Sequence, residues 1–317
     1  MGREREVWQT TVAAPIEVSG CGVHAGRFTT LTVLPADADT GIRFMRSDLP
    51  LSCEEAIHAL HGNTATTELA TVIGDPEGAV VSTVEHLMAA LYGAGIDNAM
   101  IEIDGPEVPI LDGSAAEFSD AIADVGVARL DGPRRMIEVL KPVRIENGAQ
   151  FGELLPHEGF RVDVEIQFAE ETIGRQRVVV DVTPDSFRKE LAPARTFGFM
   201  RDVERLWAAG YALGASLENT VVVGEDGVMN PGGLRWRDEF VRHKALDAVG
   251  DLALAGLPMK AAFRSCRGGH RLNSLVLAAL FADPTAYRVV ERAPARAPVR
   301  QRGGAAYAAA PMAAPDR

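Results

Sequence analysis

Twice along the chain, strand-patterned sequence gives way to an apolar helix headed by Val-x-His: VEHLMAALYGAG begins at Val84 and VRHKALDAVGDLALAG at Val241. Strands gathered first and helices later, in both halves, favour an α+β fold over a parallel sheet with alternating helices. The echo points to a duplication, two similar domains that each layer a β-sheet with α-helices. No Rossmann or P-loop fingerprint interrupts that pattern.

In the first half, TTLTVLP and GIRFMR are the clearest strands, accompanied by the glycine-rich turn SGCGVHAGR. A helix is expected over about 83–92, with Ser82-Thr-Val-Glu85 as a capping box and Gly93 and Gly95 at its end. The strand NAMIEID and a helix from about Ser114, capped in the same way by Glu117, follow. The second half brings strands MIEVLKPVRIE, RVDVEIQF and QRVVVDV, a helix MRDVERLWAAG, a strand TVVVGED and helices from near Asp238 and Gly269. The boundary falls in RLDGPRR, residues 129–135, giving domains 1–130 and 131–290. Residues 291–317, rich in Ala, Pro, Gly and Arg with little to bury, read as a disordered tail.

A chain of 317 residues that is 47% hydrophobic can bury a sizeable core. Its net charge of −12 speaks against nucleic acid, whose phosphates demand broad positive surface, but leaves room for a small anionic ligand met by local cations. The charged opening MGREREVWQT is followed by no apolar run, and no stretch approaches membrane-spanning length, so a soluble cytoplasmic protein is expected. Cys21, Cys53 and Cys266 are odd in number and lack C-x-x-C spacing, which argues against a disulfide framework or a thiolate zinc site. Any metal would need histidine and carboxylate ligands.

On a 100° wheel Val241, Ala245, Ala248, Val249 and Leu252 share one arc, whereas His243, Asp247 and Leu254 form a stripe facing away from it. One turn apart, His243 and Asp247 can meet a single ion, and imidazole with carboxylate suits zinc or iron. A catalytic zinc typically takes three protein ligands, and His86, heading the equivalent helix of the first half, is the natural third. Each residue taken alone has a plainer reading. His243 and Asp247 would be a hydrogen-bonded surface pair, Glu85 a capping residue, His270 a cap after Gly268 and Gly269, Lys244 a solvated side chain and Thr196 a helix N-cap. His58, His61 and His157 are expected in solvent, and His24, in CGVHAG, is either structural or site-lining.

Together and in this order, STVEHLMAAL, DNAMIEIDGPEVPILDGSAAEF, ARTFGFMRDVERL, DEFVRHKALDAVGDL and GHRLNSLVL closely resemble the UDP-3-O-acyl-N-acetylglucosamine deacetylases of lipid A synthesis, over about residues 8–285. The resemblance implies a two-domain fold with a metal ion, zinc or alternatively ferrous iron, held between the domains by His86, His243 and Asp247. It implies hydrolysis of an N-acetyl group, with Glu85 as base, Thr196 and the metal holding the oxyanion, and protonated His270 donating to the amine. Asp251 would keep His270 charged and oriented, and Lys244 would face the substrate's diphosphate or the developing negative charge. The segment from Gly198 to about Val223, with Phe199, Met200, Leu206, Trp207 and Leu217, would form a passage for the acyl chain, against the plainer reading of an amphipathic helix packed on a sheet. Cys53 to Gly78 matches the family less clearly and receives no substrate role. The implied partner is an acylated UDP-sugar, with no nucleic acid, no stable membrane insertion and a monomeric chain. The alternatives are a catalytically inert relative that binds sugar nucleotide, or a zinc amidase for another N-acetyl substrate.

Overall fold

The computed structural model describes residues 7–50 and 55–291. The expectation of a disordered tail falls on residues outside that range, apart from Glu291. In the first half a five-stranded sheet runs in the order Ile16–Cys21, Phe28–Pro35, Ala99–Ile103, Ile42–Arg46, Ile57–His58. It is antiparallel except where Ile42–Arg46 lies parallel to Ala99–Ile103. Along Phe28–Pro35, Thr29, Leu31 and Val33 point into the core at the two-residue period of a strand with one covered face. A pair formed by Trp8–Val12 and Val127–Pro133 and a small sheet of Thr64–Thr66, Val72–Gly74 and Val80–Val81 complete this half.

The second half is a mixed seven-stranded sheet built around Met259–Cys266. That strand lies antiparallel to Gln150–Pro156 and parallel to both Phe160–Gln167 and Arg135–Val139. Phe160–Gln167 pairs onward with Arg175–Asp181, and Arg135–Val139 with Tyr287–Glu291. Among the described residues, strands up to Pro133 pair only with one another, as do those from Arg135 onward. Gln150–Pro156, Met259–Cys266 and Tyr287–Glu291 are absent from the sequence reading. The reason is plainest in MKAAFRSC, whose inward positions, Met259, Ala261, Phe263 and Ser265, include two small residues that blur the alternation.

Among the described residues the longer helices are α1 (Glu85–Ala94), α2 (Ala116–Val125), α3 (Val203–Ala208), α4 (Glu239–Ala253) and α5 (His270–Ala282), besides a helical turn over 184–191 and short 3-10 turns. α1 and α4 pack against each other across the two halves. Gly250 permits the approach, since a Cβ there would lie 1.9 Å from the carbonyl oxygen of Glu85. α4 is buried on nearly every side, so the stripe of His243 and Asp247 does not face water; α1 covers it. Gly250→Ala is therefore expected to destabilise the fold by about 1–3 kcal/mol, the usual cost of overpacking, although alanine is the better helix former by about 1 kcal/mol. An unchanged urea midpoint would contradict this packing.

Four local expectations are corrected. No capping box forms at α1: Ser82 is tied by backbone hydrogen bonds to Pro106 and Val108, Thr83 is left-handed at φ 56°, and Glu85 turns into the interior. α2 begins at Ala116, whose N–H is accepted by the Ser114 hydroxyl at 3.1 Å, and Glu117 closes no capping box. MRDVERLWAAG is α-helical only over Val203–Ala208, after a 3-10 turn at Met200–Asp202. Nor are His58, His61 and His157 fully solvated: all three are half-buried, His61 stacking on Phe281 at 4.5 Å and His157 reaching Asp181 at 3.3 Å.

Candidate metal centre and active site

His86, in the first turn of α1, meets His243 and Asp247 of α4 because the two helices touch there. One ligand atom from each lies within 4.8 Å of the others, and all three residues are buried. The two imidazoles stand edge to face, 5.0 Å between centroids, with Asp247 Oδ1 3.6 Å from His86 Nε2 and 3.3 Å from His243 Nε2. His243 Nδ1 lies 2.9 Å from the Ala194 carbonyl, which can only accept, so Nδ1 carries the hydrogen. Burial outweighs the neighbouring Asp247 and brings the His243 pKa down to about 3, so the ring is neutral and presents its Nε2 lone pair to Asp247. Asp247 Oδ1 is buried with no hydrogen-bond donor. A carboxylate oxygen facing an imidazole lone pair in a dry interior is costly unless a cation sits among them, and the donor set therefore fits a divalent metal ion with a coordination position to spare.

A second cluster abuts the first. Glu85 is buried, with Oε2 accepting the Thr71 N–H at 3.0 Å and Oε1 3.8 Å from His270 Nε2. Burial pushes its carboxyl above the ordinary range, with His270 and His86 pulling the other way. His270 Nδ1 donates to Asp251 Oδ2 at 2.9 Å, an oxygen that also accepts Asn273 Nδ2 at 2.8 Å, while Asp251 Oδ1 accepts the Thr71 hydroxyl at 2.5 Å. Burial disfavours a charged imidazole at His270, but Asp251 and Glu85 outweigh it and raise the pKa to about 9. The ring is thus a cation at neutral pH, with Nε2 directed toward Glu85 and 3.9 Å from Asp247 Oδ2. A carboxylate and a charged imidazole so placed are the groups able to take and to give a proton.

A model of the family UDP-3-O-acyl N-acetylglycosamine deacetylase matches residues 9–282. The UDP-3-O-acyl-N-acetylglucosamine deacetylases of Brucella ovis and Brucella canis are each 54% identical to this chain over 285 residues, covering 90% of it and 99% of their own length. The chain belongs to the UDP-3-O-acyl N-acetylglycosamine deacetylase family. The relative from Brucella melitensis biotype 2 shows the same identity and coverage.

Of the other residues singled out by resemblance to these deacetylases, Lys244 touches the first cluster directly. Lys244 donates to Asp247 Oδ2 at 2.9 Å and its Nζ lies 5.5 Å from the centre of the Phe197 ring, so it is not the solvated side chain of the plainer reading. Burial opposes its charge, but Asp247 holds its pKa above the usual lysine value. Thr196 is half-buried and caps no helix. Its N–H donates to Gly113 O at 2.7 Å and its carbonyl accepts Val221 N–H at 2.8 Å. The preceding Arg195 is clamped by the fully buried Glu239 at the head of α4, with Nε 2.8 Å from Oε1, and this clamp presents the Ala194 carbonyl to His243.

In α3 no residue is buried, which removes the reading of an ordinary amphipathic helix packed on a sheet. Trp207 is 55% exposed and Met200 50%, with Leu217 also exposed and Phe199 and Leu206 half-buried. His24 clasps the following loop: its carbonyl accepts Leu213 N–H at 3.0 Å, Nδ1 accepts Ala212 N–H at 3.4 Å, and its ring meets Tyr211 edge-on. Its backbone is anchored in turn by Glu107, which accepts the His24 and Ala25 N–H groups and the Thr83 hydroxyl. A cavity of about 670 Å³ between the halves, lined by Leu91, Tyr92, Met136, Phe160 and Leu257, contains none of these site residues. Chemistry, not volume, singles out this candidate site.

Thr71, Asn273, Glu239 and the Ala194 carbonyl escape the sequence reading. Only Asn273 left a local signal, one turn beyond His270 in GHRLNSLVL on what the pattern makes the same helix face.

Proposed function

We propose that the chain is a zinc-dependent deacetylase that hydrolyses the N-acetyl group of UDP-3-O-[(3R)-3-hydroxyacyl]-N-acetylglucosamine to the free amine and acetate, the committed step of lipid A synthesis. The observation that carries this reading is the buried His86, His243 and Asp247 cluster, with its donorless carboxylate oxygen, beside the oppositely poised Glu85 and His270. Two imidazoles and a carboxylate suit zinc, and ferrous iron is the other ion such a set accepts. When bound, the ion supplies Lewis acidity toward the acetamide carbonyl and lowers the pKa of water toward neutrality.

Glu85 takes the proton of the attacking water at Oε1 while its other oxygen stays on the Thr71 amide. The new C–O bond places negative charge on the carbonyl oxygen, which the Thr196 hydroxyl helps to hold. Collapse breaks the C–N bond, and His270 Nε2 donates the proton that lets the amine depart. Asp251 keeps that imidazole charged and oriented through Nδ1. Lys244 offers a local cation to the substrate's diphosphate or to the developing charge, which reconciles a net charge of −12 with an anionic sugar nucleotide. Phe199, Met200, Leu206, Trp207 and Leu217 receive the acyl chain, a role supported by the exposed apolar surface that Met200, Trp207 and Leu217 present around α3.

The domains of this reading are 1–130, contributing Glu85 and His86, and 131–290, contributing the remaining metal and proton-transfer residues. The chain acts as a cytoplasmic monomer, since all three ligands come from one chain; none of the described helices is long and apolar enough to cross a membrane. An inert sugar-nucleotide binder is disfavoured because every proposed role retains its residue.

Activity requires ionised Glu85 and protonated His270. The rate should therefore rise as pH climbs through the elevated Glu85 value and fall as it passes that of His270 near 9, giving a bell-shaped kcat/KM profile for the coupled pair. A profile in which His270→Ala leaves the basic limb unchanged would contradict the assignment of the acid. Acetate release from acylated versus unacylated sugar nucleotide tests the substrate: turnover should depend on the acyl chain, and equal kcat/KM for both would favour an amidase for another N-acetyl compound.

A further inference from the structure

We propose that Thr71 is a positioning residue that sets the base and the acid of this site together, an inference that rests on the assignment of Glu85 and His270 above. Thr71 is buried, and each of its three polar groups is used within the site. Its N–H holds Glu85 Oε2 at 3.0 Å, its hydroxyl holds Asp251 Oδ1 at 2.5 Å, and its carbonyl accepts the N–H of Val84, the residue before Glu85, at 3.3 Å. One residue of the first half thus touches the base directly and, through Asp251, the imidazole of the second half.

The consequences follow from which oxygen each bond uses up. With Oε2 pinned, Oε1 is the Glu85 oxygen left to accept a proton, and it is the one facing His270. With Oδ1 pinned, the Asp251 carboxylate cannot rotate about its Cβ–Cγ bond, and Oδ2 stays aimed at His270 Nδ1, where Asn273 braces it. The backbone enters this arrangement under strain on both sides. Leu69, two residues before Thr71, and Thr83, two before Glu85, are left-handed at φ 65° and 56°, a conformation that non-glycine residues keep only where their surroundings enforce it.

The test is Thr71→Val, which keeps the branched shape and the backbone amide but removes the hydroxyl, set beside Thr71→Ser, which restores it. For acetate release from UDP-3-O-(3-hydroxymyristoyl)-N-acetylglucosamine, the Val variant should lose about ten- to a hundredfold in kcat, the size expected for one hydrogen bond to a charged group. KM and bound metal should be unchanged, because Thr71 has no polar group left for substrate and ligates no metal. The Ser variant should stay within about threefold of the parent, and in an Asp251→Asn background the Val change should cost little more, because the two act as one unit. Thr71→Ala carries the same expectation if valine does not fold. Full kcat in the Val variant, equal losses in Val and Ser, or an undiminished loss in the Asp251→Asn background would each overturn the proposal. Full turnover by Glu85→Gln would instead overturn the reading beneath it.

Discussion

Replacing Glu85 by Gln should lower kcat for acetate release by about a hundred- to ten-thousandfold, the share a positioned general base contributes, while leaving bound metal unchanged. Glutamine keeps the length and an oxygen to accept the Thr71 amide, so the segments around residues 71 and 85 should stay in register. What it loses is the basic oxygen 3.8 Å from His270. The variant also removes a buried carboxyl whose charge burial disfavours, so thermal stability should hold or rise. Loss of activity together with loss of metal would mean that Glu85 shapes the ligand cluster and does not serve as the base.

Asp247→Ala should have the opposite signature, losing metal and activity together. Asp247 Oδ1 is the donorless oxygen between His86 and His243, and Oδ2 is the partner of Lys244. Burial opposes its ionisation, but the Lys244 ammonium 2.9 Å from Oδ2 holds its carboxyl well below the ordinary range, so it meets an ion already charged. Metal affinity should fall by more than about a hundredfold, beyond what loss of an outer-sphere partner costs, and turnover should fall below detection. The deletion also strands the Lys244 ammonium beside two imidazoles. Titration with zinc followed by elemental analysis reads the effect, and retention of one tightly held ion per chain would remove Asp247 from the ligand set.

The cluster of His86, His243 and Asp247 was legible because helix geometry is local. His243 and Asp247 stand one turn apart whatever surrounds them, and the repeated Val-x-His brought His86 to the equivalent place on another helix. Their burial was not legible from the wheel, which registers the apolar arc of α4 but not the second helix that covers its polar stripe. A signal for that cover existed in Gly250, a helix-interior glycine of the kind that often marks close backbone approach. The capping-box pattern at Ser82 and Glu85 misleads, because no box forms there and the glutamate gains a buried amide donor in Thr71 and proximity to His270 instead. Thr71 itself lies 180 positions from Asp251, and nothing in an isolated threonine records so distant a partner. The second-half sheet was legible where valine and isoleucine alternate with charges, as in RVDVEIQF, and lost where the small residues Ala261 and Ser265 occupy inward positions of MKAAFRSC.

The central claim, metal-dependent deacetylation, is tested most directly by acetate release from UDP-3-O-(3-hydroxymyristoyl)-N-acetylglucosamine by the purified protein before chelation, after chelation and after zinc is restored. The account predicts turnover that chelation abolishes and one equivalent of zinc restores. Turnover that survives complete metal removal, or its absence in folded, zinc-loaded protein with any acyl length, would contradict it.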